Sequence, residues 1–171
     1  MTVGTGKTLK LPVLKKINKK FTYLKIYQME IVFTDFLIKA GAATLAGLCM
    51  GLERQIKGKP AGLKTNILVA LGATIFVMIS TLFHNEPNAD LTRIIGQIIV
   101  GVGFLGAGVI IKQKKSDKIW GLATAATIWC SAAAGCLAGL GIYNVLAGFT
   151  VLVVIINLIF GYFGKKVHNS I

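Results

Sequence analysis

An all-α bundle of five membrane-spanning helices is the fold class the sequence predicts, and three observations predict it. The 171 residues are 54% hydrophobic with a mean hydropathy of +0.72. Apolar runs recur near residues 31–52, 65–83, 94–111, 120–140 and 145–163. Each is close to the ~20 residues a helix needs to cross a hydrocarbon core. The charges gather in short clusters between those runs. A soluble core is excluded by this pattern. The net charge of +13 would point to nucleic acid in a soluble protein, but here Lys and Arg flank the spans, as they do beside anionic lipid headgroups. The bilayer is therefore the expected partner, and nucleic acid is not.

Ahead of the first span, residues 1–28 carry Lys7, Lys10, Lys15, Lys16, Lys19, Lys20 and Lys25 and no acid. The stretch lacks the apolar core and small-residue cleavage site of a signal peptide. Two readings stay open: a basic arm for lipid headgroups or nucleic acid, or an extension upstream of a native start at Met29. The membrane domain is expected over 29–164, followed by a short tail, 165–171.

Span one carries Asp35 and Lys39, four apart and able to pair along a helix, and closes on Glu53 and Arg54. Its small residues Ala43, Gly47 and Gly51 share one face. A Pro60/Gly62 loop turns into span two at Lys64, Thr65 and Asn66. The loop only superficially resembles a phosphate-binding loop, because its spacing is wrong for GxxxxGK[ST].

Span three, bounded by Arg93 and Lys112, has no formal charge inside and holds Gly96, Gly101, Gly103, Gly106 and Gly108. Glycine lets neighbouring membrane helices approach, so this span is expected to be the packing axis. The GxGxxG formed by Gly101, Gly103 and Gly106 lies inside a span with no preceding strand, and dinucleotide binding is rejected. Asp90, beside Arg93, is placed either to cap the helix start or to contact an ion or a partner. His84, Glu86 and Asp90 could give a weak divalent-ion site, but loop acids are usually solvated, so no metal and no cofactor is expected.

In span four Ala123, Thr127, Ser131, Gly135 and Gly139 recur every four residues. Spans one, three and four are expected inside, and span five, rich in Val, Leu and Ile, faces lipid. Strands are not required. Trp120, Tyr143 and Tyr162 sit near span ends, as in an aromatic belt. Cys49, Cys130 and Cys136 lie in apolar runs and read as small buried residues.

Orientation follows from the cations. One face receives Arg54, Lys57, Lys59, Lys64, Lys112, Lys114, Lys115, Lys118, Lys165 and Lys166; the other receives Arg93 and whatever precedes span one. The positive-inside rule puts the first face in the cytoplasm and the N-terminus outside. The seven-lysine arm would then have to cross the membrane, a conflict that a start at Met29 removes. No Ser/His/Asp or Cys/His set exists, and His84 and His168 fall on opposite faces, so no enzyme is expected.

Four segments together resemble the MgtC/SapB family of bacterial inner-membrane proteins: GLERQ from Gly51, AGLKTN from Ala61, DLTRIIGQIIVGVGFLGAGVII from Asp90 and GLATAATIWCSAAAGCLAG from Gly121. They fall in the family's order over residues 36–160. The resemblance implies a five-helix domain with its N-terminus outside, a link to growth at low Mg²⁺ and, in pathogens, to survival inside host cells. It also implies regulation of other membrane proteins, including the ATP synthase membrane sector. Carried over by position, the functional polar residues are Glu53, Arg54, Lys64, Thr65, Asn66, Asp90, Arg93 and Thr124. The helix-packing residues read from the small-residue faces are Gly47, Gly51, Gly103, Gly106, Ser131, Gly135 and Gly139. Three positions depart from the family: Lys64 stands where Arg is common, Leu91 where Pro is, and Ala123 where a more polar residue is. The chain resembles the short, membrane-only branch. The expected function is a non-enzymatic regulator contacting another membrane protein, with homo-oligomers admitted. The alternative is a transporter or channel for Mg²⁺ or another small solute, lined by Asp35, Glu53, Asp90 and Arg93. A third reading makes residues 1–28 a lipid or nucleic-acid tether.

Overall fold

The computed structural model describes the backbone of residues 11–82, 90–112 and 119–168, and side chains over 32–82, 90–112 and 119–160. The basic residues before Leu11, His84, Glu86, Lys114, Lys115, Lys118 and the last three residues lie outside the described backbone, so the expectations placed on them are not addressed. The chain divides into two compact units, Met1–Leu37 and Ile38–Ile171. In the first, the described side chains include Phe33 and Phe36, whose ring centroids lie 6.2 Å apart.

Five helices follow the apolar runs: α1 Leu11–Ile56, α2 Leu63–Leu82, α3 Leu91–Val109, α4 Leu122–Gly139 and α5 Tyr143–His168. Each contains a stretch long and apolar enough to cross a membrane: Val32–Ile56, Leu63–Leu82, Leu91–Val109, Leu122–Gly139 and Tyr143–Phe160. The all-α, five-span architecture is therefore observed. One element was not expected. Ile111–Lys112 (β1) and Ile119–Trp120 (β2) pair antiparallel between α3 and α4, Ile111 opposite Trp120 and Lys112 opposite Ile119. Three of the four are β-branched or aromatic, residues that suit a pleated pair; a two-residue strand is too short to leave a period-2 signal.

The connections are set by local chemistry. Asp90 caps α3: its carboxylate accepts from the Thr92 backbone N–H at 2.9 Å and the Thr92 hydroxyl at 2.6 Å. Capping satisfies a helix-start N–H that has no partner within the helix. Asp90 is fully exposed, and these hydrogen bonds from Thr92 hold its carboxyl below the usual carboxylate range. Gly121, at φ 94°, brings the start of α4 against the end of α3; a Cβ there would stand 2.0 Å from the Val109 carbonyl oxygen. Helix α4 ends in a Schellman turn, with Ile142 N–H donating to Leu137 C=O and Gly141 N–H to Ala138 C=O.

The packing axis is α4, a correction to the expectation for span three. Half of the α4 span is buried, against 11% for α3. Helix α4 packs on α2, α3 and α5. One core cluster joins Ala43, Ala46 and Met50 of α1 to Ala70, Ala134, Ala138, Leu146 and Val153. A second joins Ala73, Val102, Ile128 and Ala132. Span two, not one or three, is the second interior helix. A Cβ on Gly47 would lie 2.7 Å from Ile67 Cα, and one on Gly51 2.8 Å from Leu63 Cα. A Cβ on Gly135 would lie 2.1 Å from the Ala70 carbonyl, and one on Gly139 2.8 Å from Val77 Cβ. Thus α2 is clasped by the glycine faces of α1 and α4. A Cβ on Gly106 would lie 3.4 Å from Ala125 Cβ, an ordinary contact distance. Gly103 is exposed, and among the described residues nothing lies within 4 Å of its added Cβ. Among the described residues it packs against nothing, and the buried face of α3 runs through Val102 and Gly106 instead.

Candidate functional site: a buried polar belt at one end of the bundle

Helix α1 ends where α2 and α4 begin, and these three termini bring several polar side chains together. Arg54 is the centre, 4% exposed despite its charge. Its guanidinium donates from Nε and Nη2 to the Pro60 carbonyl, at 3.3 and 3.2 Å, from Nη1 to Thr127 Oγ1 at 3.4 Å, and from Nη2 to Thr124 Oγ1. The planar fork thus ties the α1–α2 loop to the first two turns of α4, which a lysine's point charge could not do. Thr127 donates onward to the Ala123 carbonyl at 2.8 Å.

One turn deeper, Asn66 is fully buried. Its Nδ2 donates to the carbonyls of Ala61 (2.7 Å) and Gly62 (2.8 Å), and its Oδ1 accepts from Ser131 Oγ at 2.7 Å. Ala61 holds φ at 52°, a left-handed conformation that strains a residue bearing Cβ. Asn66 clamps the carbonyl of that strained residue. Ser131 also lies 3.1 Å from the Thr127 carbonyl and 3.6 Å from Met50 Sδ. Beyond it, Thr74 bridges α2 to α4 by donating to Ala70 C=O and Gly135 C=O, both at 2.9 Å. Leaving such groups unpaired at membrane depth would cost several kcal/mol each, so the belt holds the helix ends in register.

Of the residues expected to be functional, Arg54, Asn66 and Thr124 meet here. Glu53 lies beside Arg54 in sequence and pairs with Lys57 one turn on. Lys64 and Thr65 point outward and are exposed. Asp90 and Arg93 are exposed at the far end of α3, so they do not join this belt. Asp35 and Lys39 lie on α1, partly buried. Thr127, Thr74 and the Pro60 carbonyl were not expected in a site, although Thr127 stood in the small-residue stripe. Their signal was hydroxyls recurring among small residues on α4: Thr124, Thr127 and Ser131. Among the described residues, no cluster of His, Cys, Asp or Glu could hold a metal ion.

The MgtC family model matches residues 41–166, which covers the belt, the last third of α1 and helices α2 to α5 up to residue 166. The chain is 48% identical over 118 residues to Protein MgtC of Brucella abortus, a match covering 69% of this chain and 48% of that protein. It is 45% identical over 123 residues to an uncharacterized protein of Synechocystis, covering 71% of the chain and 51% of the relative. Against Protein MgtC of Salmonella typhimurium it is 39% identical over 141 residues, covering 82% and 58%. The chain spans about half the length of the curated relatives it matches. No solved structure matches it.

Proposed function

Because the chain belongs to the MgtC family, we propose that this multi-pass membrane protein is a non-enzymatic protein of the bacterial inner membrane that serves adaptation to low Mg²⁺ by regulating another integral membrane protein. Its N-terminus faces outward and the Arg54 end faces the cytoplasm, as the ten-cation count favours. By family resemblance, the first partner to test is the membrane sector of ATP synthase.

One observation carries the choice of regulation over transport. Every buried polar residue of the described chain, Arg54, Asn66, Thr74, Thr124, Thr127, Ser131 and Thr150, has its side chain hydrogen-bonded to the chain itself. Asn157 Nδ2 is the single buried side-chain nitrogen or oxygen among the described residues without a partner. A conduit needs polar groups turned toward a path through the midplane. Here those groups are spent on locking helices together.

The test has two arms. Purified protein in liposomes carrying a Mg²⁺-sensitive dye is expected to give no flux above empty vesicles, and crosslinking in native membranes is expected to recover a defined integral membrane protein. Flux above empty vesicles would overturn the reading in favour of transport. Recovery of the chain alone under both Mg²⁺-rich and Mg²⁺-poor growth would overturn regulation through a partner.

A further inference from the structure

Helix α1 is longer than its span needs. Its backbone is helical from Leu11 to Ile56, whereas the membrane-spanning stretch is Val32–Ile56. At 1.5 Å per residue, residues 11–31 add roughly 30 Å of helix ahead of the apolar span. The family match begins at residue 41 and does not reach them. A helix of about 20 residues in water is marginal unless it packs an amphipathic face.

The sequence supplies such a face. Pro12 falls in the first turn, where its missing N–H has no partner within the helix to lose. With 3.6 residues per turn, Val13, Leu14, Ile17, Phe21 and Leu24 fall within one arc of about 100°. Lys15, Lys16, Lys19 and Lys20, with Tyr23, fall outside it in a basic arc of about 140°. Lys25 stands at the border. Past Leu24 the pattern lapses: Ile26 and Tyr27 leave the apolar arc, and Gln28 takes its next position.

Charge selects what covers the apolar arc. A second copy would pair it as a coiled coil, because 14, 17, 21 and 24 keep the a/d spacing. The g position then holds Lys20, facing Lys25 of the second copy at e, and residues 1–28 carry seven lysines and no acid to relieve the repulsion. A nucleic acid would take the lysines and leave the apolar arc in water. An anionic bilayer surface takes both, with acyl chains for the apolar arc and headgroup phosphates for the lysines. The span that begins at Val32 keeps the helix beside such a surface.

We propose that residues 13–24 form an interfacial helix on an anionic bilayer surface, with α1 turning between residues 25 and 31, where the apolar register lapses. This helix is separate from the Arg54 belt and does not depend on the regulatory reading above, so either can fail alone.

The experiment uses the full chain with Cys49, Cys130 and Cys136 replaced by Ala, and a fluorophore attached at Ile17→Cys, Phe21→Cys or Lys19→Cys. Each protein is reconstituted in phosphatidylcholine vesicles with and without about one-third phosphatidylglycerol. Both leaflets have the same composition, so the readout does not depend on which side the N-terminus faces. In the anionic vesicles, quenchers carried on the acyl chains are expected to quench the Ile17 and Phe21 labels at least ~3-fold more than the Lys19 label. The contrast should vanish in phosphatidylcholine alone. Lys15→Gln with Lys16→Gln should lower the bound-to-free ratio of the Phe21 label about 5-fold per lysine. All variants lie ahead of the family-matched residues, so a monodisperse peak matching wild type separates loss of surface binding from loss of folding. Equal quenching on the two arcs, aqueous iodide reaching all three labels alike, or quenching indifferent to phosphatidylglycerol would each overturn the proposal. So would protection of the Phe21 label that appears only on adding RNA, or more disulfide-linked dimer at unlabelled Phe21→Cys than at Lys19→Cys.

Discussion

Helices α3 and α4 are nearly equal in length, both apolar and both rich in small residues, yet one is the axis of the bundle and the other lies at its margin. The difference is phase rather than composition. In α4 the small residues recur every four positions, so Ser131, Gly135 and Gly139 form one face onto which α2 descends to backbone contact. In α3 the glycines at 96, 101, 103, 106 and 108 are scattered around the helix, and among the described residues only a Cβ added at Gly106 would meet a neighbour. A glycine count says that a helix can be approached closely; the spacing says from which side.

The comparison can be broken first at the clasp around α2. Gly47→Leu should abolish folded protein, because its Cβ alone would overlap the Ile67 backbone, and the cost exceeds the ~1–3 kcal/mol typical of an overpacked core. Size-exclusion profiles of the solubilised protein would check this. Next comes the belt. Arg54→Met leaves Pro60 C=O without its guanidinium donors and removes the donor reaching Thr124, and should cost about 1–3 kcal/mol of stability by steric trapping or thermal melts in detergent. Arg54→Lys should recover only part of that loss, since charge returns without the fork. Smaller again is Ser131→Ala, which removes the donor to Asn66 Oδ1 and should cost about 1 kcal/mol.

The least effect is expected at the opposite end, from Asp90→Ala, which loses one exposed cap. Its pH dependence has a definite sign. The folded carboxyl is held below its usual range, so the cap's contribution is full above the unfolded pKa and is lost as pH falls through the lowered folded value. Wild type and Asp90→Ala should therefore differ in melting temperature at neutral pH and converge in acid.

The sequence made the five spans legible because hydropathy is a property of each segment alone. It also made the Asp90 cap legible, since an acid two residues before a Thr is a local signal. Which helix sits inside was misread: composition was weighed over phase, and α2 carries only a diffuse set of small residues to mark it. The belt was half legible. Arg54, Asn66 and Thr124 came from family resemblance, but their convergence depends on a left-handed Ala61 and on a main-chain carbonyl at Pro60, neither of which has a side-chain signature. The ribbon at Ile111 and Trp120 was missed because two-residue strands carry no periodicity.

The central claim, that α4 and not α3 is the axis, is tested most directly by one paired measurement: folded yield of Gly135→Leu beside Gly103→Leu, each expressed in membranes and solubilised under the same conditions. A Cβ at Gly135 meets the Ala70 carbonyl at 2.1 Å, whereas nothing described lies within 4 Å at Gly103. Loss of the folded peak for Gly135→Leu with near wild-type yield for Gly103→Leu is the predicted result. Normal yield for Gly135→Leu together with collapse of Gly103→Leu would contradict it.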